Sequence, residues 1–259
     1  MALGISTASL YPQATEDALE FLGKAGIQTT EIFLNAPSEL EPAFIKNLDA
    51  IRRHYGIQVQ ALHPFSSFSE PYHIFSSYTR RFIDAKARFA QYFAAAATLG
   101  AKYLVLHGDR VTGELSPSVY CQRYKELYDL GQTFGVTLTQ ENVNNYRAGY
   151  PAFLTQMRQI LGHDAKFTLD VKQCIRTGHS VDEIVKAMGP NIVHVHVSDH
   201  NPKYDCMLPL AGQFDFGNFF AKMQSAGYAG DYVIEVYRAA YQDPQELIEA
   251  YKALKKQNF

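Results

Sequence analysis

Three cysteines stand in 259 residues, Cys121, Cys174 and Cys206, far apart and with no CxxC pair. An odd count without metal-ligand spacing points to reduced thiols in a cytoplasmic protein rather than a disulfide scaffold. Long hydrophobic runs are missing too. No stretch reaches the roughly 18 consecutive apolar residues needed to span a bilayer. The most apolar one, FAAAATLGAKYLVL, is broken by Gly100 and Lys102. The opening MALGISTASLYPQ lacks a basic start and a long apolar segment, so it does not read as a signal peptide. An excess of one charge is also absent. Lys and Arg number 24 against 26 Asp and Glu, a formal charge of −2, so there is no basic field for a polyanion such as DNA. No strand candidate is followed by GxGxxG or by a GxxxxGK phosphate loop, which removes support from the nucleotide-binding α/β folds. No Pro/Ser-rich linker, low-complexity tract or charge block divides the chain.

What is present is alternation. Hydrophobic residues make up 47% of the chain, enough for a large core. Strand candidates fall at 3–10, 29–35, 57–65, 102–108, 136–143, 166–173, 192–200 and 232–237. Helical patterns lie between them. The clearest is 79–99, where Phe82, Phe89, Phe93 and Ala97 follow helical spacing. Gly26, Gly56, Gly100, Gly135, Gly189 and Gly227 sit where helices should stop, and Thr15, Ser180 and Asp243 where they should start, with Pro244 in a first turn. Eight such β/α units predict a parallel sheet closed into a single-domain (β/α)8 TIM barrel over residues 1–259, with an open doubly wound sheet as the alternative.

The chemistry-bearing residues gather at the far ends of the strands, where such barrels carry their sites. Strand 2 ends near Glu31, Phe33 and Asn35, strand 3 at His63, and strand 4 at His107. Strand 5 offers Glu141 and Asn142, and strand 6 offers Asp170, Lys172 and Gln173. Strand 7 offers His196, Ser198 and Asp199, and strand 8 offers Glu235 and Tyr237. Glu141, Asp170, His196 and Glu235 end four consecutive runs, at spacings of 29, 26 and 39 residues. In a barrel they converge at one mouth. Three carboxylates and an imidazole there would repel unless a cation neutralised them, so the pattern predicts a divalent metal site. Taken singly, each has a plainer reading. A lone acidic residue at a strand end usually caps a helix or pairs at the surface, a lone histidine usually packs in the core, and Cys174 reads as buried and inert. Phe33, Phe65 and Tyr237 are candidates to line a pocket. Arg147, Arg176, Lys203 and Arg238 fall in post-strand loops, where a phosphate or carboxylate could meet them.

The sequence resembles the xylose-isomerase-like barrels, which include endonuclease IV, xylose isomerase, hydroxypyruvate isomerase, inosose dehydratase and the ketose 3-epimerases. The resemblance covers essentially the whole chain and rests on QENV (140–143), LDVKQ (169–173), HVHVSDH (194–200), LPLAGQFDF (208–216) and VIEVY (233–237). It implies that Glu141, Asp170, His196 and Glu235 are metal ligands and that His63 and His107 face the same cavity. Two departures stand out. Gln173 occupies a position that is histidine in endonuclease IV, and Asp205 is followed by Cys206 and Met207 where a second histidine is usual. Those histidines help build the nuclease's multi-metal cluster, so their absence argues for a single metal.

The expected activity is isomerisation or epimerisation of a sugar, sugar phosphate or small hydroxy-ketone through a metal-stabilised enediolate. Glu141 and Glu235 would form the acid–base pair, and His63, His107, Lys172, Gln173 and Tyr237 would contact substrate. Mn²⁺, Co²⁺ or Mg²⁺ suits three carboxylates and one imidazole, and Zn²⁺ is compatible. Metal-assisted dehydration of a polyol ketone shares the first step. Phosphodiester hydrolysis at abasic DNA would need the missing histidines and a basic surface, and a non-enzymatic binding barrel would not need a buried anionic cluster. Partners are therefore expected to be small carbohydrates, without nucleic acid or membrane, with homo-oligomers open to it since relatives often form dimers or tetramers.

Overall fold

The computed structural model describes residues 1–257. Its strands are β1 (Leu3–Ser6), β2 (Thr29–Phe33), β3 (Gln58–His63), β4 (Tyr103–Leu106), β5 (Thr137–Glu141), β6 (Phe167–Asp170), β7 (Ile192–Val197) and β8 (Tyr232–Ile234). Each pairs in parallel with its neighbours in chain order, and β8 returns to β1, so the sheet closes. This is the (β/α)8 barrel that the alternation predicts. The strands are buried almost throughout, as a parallel sheet covered on both faces requires.

The helices are α1 (Thr15–Lys24), α2 (Pro42–Tyr55), α3 (Glu70–His73), α4 (Thr79–Leu99), α5 (Pro117–Gln132), α6 (Pro151–Leu161), α7 (Val171–Thr177), α8 (Val181–Met188), α9 (Phe216–Ser225) and α10 (Pro244–Lys255). The expected 79–99 helix is α4, closed by Gly100 at φ 71°, a left-handed turn that glycine adopts without strain. Capping boxes open α8 (Ser180 with Glu183) and α10 (Asp243 with Glu246). Thr15 is not the cap of α1. Ala14 holds that position, and the Thr15 hydroxyl is spent on Phe33 O and the Glu39 carboxylate. No helix among the described residues is long and apolar enough to cross a membrane.

Several strands end earlier than the apolar runs suggest. The 166–173 run is strand only to Asp170, whose carboxylate accepts the amides of Lys172 and Gln173 and so starts α7. The 192–200 run stops at Val197 and the 232–237 run at Ile234. Glu235 follows directly and still donates its amide to Val197 O at 3.1 Å. A register shift between Phe167 and Thr168 sets Asp170 level with His196 on β7, so two candidate ligands become direct neighbours.

Candidate metal centre

Glu141 ends β5, Asp170 ends β6, His196 lies on β7 and Glu235 follows β8. One ligand atom from each lies within 4.8 Å of the others. His196 Nδ1 is the hub. It stands 3.7 Å from Glu141 Oε1, 3.7 Å from Asp170 Oδ2 and 3.5 Å from Glu235 Oε2. The structure therefore brings together the four residues picked out by strand-end spacing.

Each is held from behind. Asn142 clamps the Asp170 backbone, accepting its N–H at 2.7 Å and donating to its C=O at 3.0 Å. Asp170 spends Oδ1 on the start of α7, which leaves Oδ2 facing the cluster. His196 Nε2 and His194 Nε2 both lie 2.9 Å from Glu31 Oε2 on β2. The turn after β4 is fixed by Gly108 at φ 91°, where a Cβ would come within 2.1 Å of the Tyr120 hydroxyl.

The site is strongly anionic and draws positive charge. Burial pushes Asp170 up, only partly offset by Lys172. Burial works against the charge on Glu141, yet His107, His196 and His63 hold it well below the usual carboxylate range. Burial also opposes ionisation of Glu235, but Lys172 and His196 hold it down. His196 is raised well above the ordinary imidazole range by Glu31 and Glu235 in spite of burial. Lys172 is likewise held charged by Asp170 and Glu235. Within this cluster His196 Nδ1 is buried without a hydrogen-bond partner, although such atoms are normally satisfied.

Above the cluster opens a cavity of about 520 Å³, lined by Tyr11, Phe33, Asn35, His63, His107, Glu141, Lys172, Gln173, Glu235, Tyr237 and Arg238 among others. His63 stacks on Phe33, with ring centroids 4.4 Å apart. Its Nε2 lies 3.0 Å from His107 Nε2, and the two nitrogens lie 3.6 and 3.1 Å from Glu141 Oε2. His63, His107 and Glu141 thus form a second group able to hold a cation, sharing Glu141 with the first. The Lys172 ammonium bonds to Asp170 and Glu235, so it is committed to the carboxylates as well as lining the cavity. Gln173 accepts the Asn144 amide at 3.0 Å, and Tyr237 stands at the mouth with its hydroxyl bonded by Arg176 at 2.7 Å.

Other candidates lie elsewhere. Phe65 lines a separate cavity with Glu70 and Phe89. Arg147 donates to Leu115 O, and Arg176, part of α7 rather than a loop, pairs with Asp205. Asp199 accepts the amides of His200, Gly212 and Phe214, so it organises a loop. The three cysteines are free, with Cys121 and Cys174 buried. The residue that sequence reasoning left without a role is Glu31. Its signal was a lone carboxylate inside the buried run TTEIF, but its partners lie 163 and 165 residues away.

The sequence matches the family described as "Xylose isomerase-like TIM barrel" over residues 19–257. The chain belongs to this family. An uncharacterised protein of Mycobacterium tuberculosis is 24% identical over 270 residues, covering 94% of this chain and 91% of that protein. Among solved structures, a D-tagatose 3-epimerase-like protein superposes with TM-score 0.81 at 20% identity, over 99% of this chain and 97% of that one. A D-psicose 3-epimerase of Clostridium cellulolyticum H10 gives 0.79 at 18% identity, over 99% and 98%. At such identities the solved structures establish the shared barrel.

Within this family barrel, the residues present suit a divalent cation. Three carboxylates and one imidazole converge, and one lysine leaves the cluster with excess negative charge. The unpartnered His196 Nδ1 faces the carboxylate oxygens at 3.5–3.7 Å.

Proposed function

We propose that the protein is a divalent-metal-dependent epimerase or isomerase of a free ketose or similar hydroxy-ketone, with Glu141 and Glu235 as its acid–base pair. One observation carries this reading. Of the four clustered residues, Glu141 and Glu235 line the cavity, while Asp170 and His196 lie behind them. Two carboxylates facing one substrate supply a base and its conjugate acid. The cation, with Mn²⁺, Co²⁺ and Mg²⁺ favoured by the oxygen-rich donors and Zn²⁺ compatible, supplies Lewis acidity towards substrate oxygens when bound.

One glutamate removes the proton from the carbon beside the carbonyl, and the other returns it. His63 and His107 line the cavity beside Glu141, their Nε2 atoms bonded to each other at 3.0 Å, so a substrate oxygen entering there would meet an imidazole N–H. Tyr11, Phe33 and Tyr237 give the cavity apolar walls. The cations lining it among the described residues are Lys172 and Arg238. Lys172 is engaged by Asp170 and Glu235, and Arg238 donates to Tyr241 O and Gln242 O. The carboxylates beneath the cavity outnumber the lysine that pairs with them, which disfavours a phosphate, so the substrate is taken to be uncharged. Structural neighbours named for tagatose and psicose support the same class.

The test is to load the protein with Mn²⁺ or Co²⁺ and offer free ketoses beside their phosphates, following products by NMR. Conversion of a free ketose is expected, with Glu141→Gln and Glu235→Gln each slower by on the order of 10²–10⁴-fold. Turnover confined to phosphorylated sugars would overturn the neutral-substrate assignment. Loss of a hydroxyl instead of rearrangement would place the protein among dehydratases.

A further inference from the structure

We infer that Glu31 is a positioning residue for the metal centre: it takes the Nε2 hydrogen of His196 and thereby turns the Nδ1 lone pair towards the cation. The inference rests on the reading that Glu141, Asp170, His196 and Glu235 hold that cation.

Glu31 is completely buried on β2, and its carboxylate reaches across the barrel interior to β7. Residues 194 and 196 are two apart on a strand, so both imidazoles point inward on one face. Both Nε2 atoms lie 2.9 Å from Glu31 Oε2, and Ser6 Oγ donates to Glu31 Oε1 at 3.2 Å. A carboxylate only accepts, so each imidazole must present N–H at Nε2. In a neutral ring the lone pair then falls on Nδ1. In His196 that atom faces three carboxylate oxygens at 3.5–3.7 Å and has no hydrogen-bond partner. The other tautomer would set two lone pairs against each other across the Glu31 contact. His194 adds a second N–H to the same oxygen and pins the carboxylate in place.

Glu31 does not line the cavity, so any influence it has on substrate passes through His196. Partners of this kind fix ligand orientation and raise basicity, and their loss typically weakens metal affinity about 10–100-fold. Glu31→Gln keeps the shape and can leave its carbonyl oxygen on both imidazoles, with the NH₂ towards Ser6 Oγ, but it removes the negative charge that makes His196 a stronger ligand.

The test is Mn²⁺ affinity by chelator competition in wild type, Glu31→Gln and His194→Gln, with the metal-free fold of each checked by circular dichroism. The expected result is binding about 10–100-fold weaker in Glu31→Gln and near wild type in His194→Gln, where the Glu31–His196 contact survives. Equal affinity in Glu31→Gln and wild type would overturn the inference. No binding by wild type would instead remove the metal reading beneath it. Should Glu31→Gln not fold, ¹⁵N-histidine-labelled wild type loaded with ¹¹³Cd²⁺ decides the question. Cadmium coupling to His196 Nδ1, with a proton on Nε2, is expected; coupling to Nε2 would contradict it.

Discussion

Asp170 and Lys172 are joined twice: Asp170 Oδ1 accepts the Lys172 backbone amide at 2.8 Å, and Oδ2 accepts its ammonium, which also reaches Glu235. The lysine therefore neutralises the same oxygens that a metal would use. Removing it leaves buried carboxylates short of positive charge, a loss of about 3–5 kcal/mol for comparable buried pairs. Lys172→Met should melt lower than wild type in chelator, yet gain more in melting temperature from added Mn²⁺, because the ion no longer displaces an ammonium. Thermal melts of both proteins with and without Mn²⁺ check this, and equal metal-induced shifts would count against it.

Asp170 combines a structural role with the proposed ligand role, and two substitutions separate them. Asp170→Ala removes the cap of α7, at about 1 kcal/mol, together with the ligand. Asp170→Asn keeps an acceptor for the Lys172 and Gln173 amides while removing the charge. Elemental analysis should show metal near background in Asp170→Ala and strongly reduced in Asp170→Asn, with only Asp170→Ala losing the cap. Full occupancy in Asp170→Ala would remove Asp170 from the site.

Glu70 gives a pH-dependent stability outside the cluster. It is buried on α3, its Oε2 accepts the Gly108 amide at 2.6 Å, and Oε1 has no partner. Burial raises its pKa well above the ordinary value, against the pull of the Gly108 and His107 amides. The folded state therefore holds a proton that the unfolded chain releases. The stabilising contribution is complete below the unfolded pKa and is lost as pH rises towards and through the folded one. Glu70→Gln removes this titration, so its stability relative to wild type should improve as pH rises above the ordinary carboxylate range of about 4–5. Denaturant unfolding at several pH values checks the trend, and a constant difference would contradict it.

The barrel and its four converging side chains were legible in the sequence because closure leaves strand-end residues one place to meet. Glu235 shows the limit at the strand boundary: its run reads as strand to residue 237, but pairing ends at Ile234 and the carboxylate stands just beyond. The seven-residue α7 was hidden because Val171 extends the apolar run past Asp170, and so short a helix shows no periodicity. Gly178, which closes it at φ 74°, was the local clue. Thr15 looked like a cap, but its hydroxyl is taken by partners on and after β2, which no local pattern displays. Glu31 stood out as a carboxylate near the end of strand 2, but its pairing with His194 and His196 was hidden for the same reason.

The chain should neither bind duplex DNA at physiological salt nor nick abasic DNA, since its charge of −2 supplies no phosphate-binding field. Assays after loading with Zn²⁺, at low and high salt, check this. Robust cleavage would replace the sugar reading with phosphodiester hydrolysis.

The central claim, proton transfer between Glu141 and Glu235, is tested most directly by turnover of an accepted ketose in deuterium oxide. A base and an acid that exchange with solvent should place deuterium on the reacting carbon of the product, and Glu141→Gln and Glu235→Gln should each slow that incorporation. Their losses should not multiply in the double variant, because each residue is also a proposed metal ligand. Conversion of a carbon-deuterated ketose in ordinary water without washout of its label would contradict the glutamate-pair account.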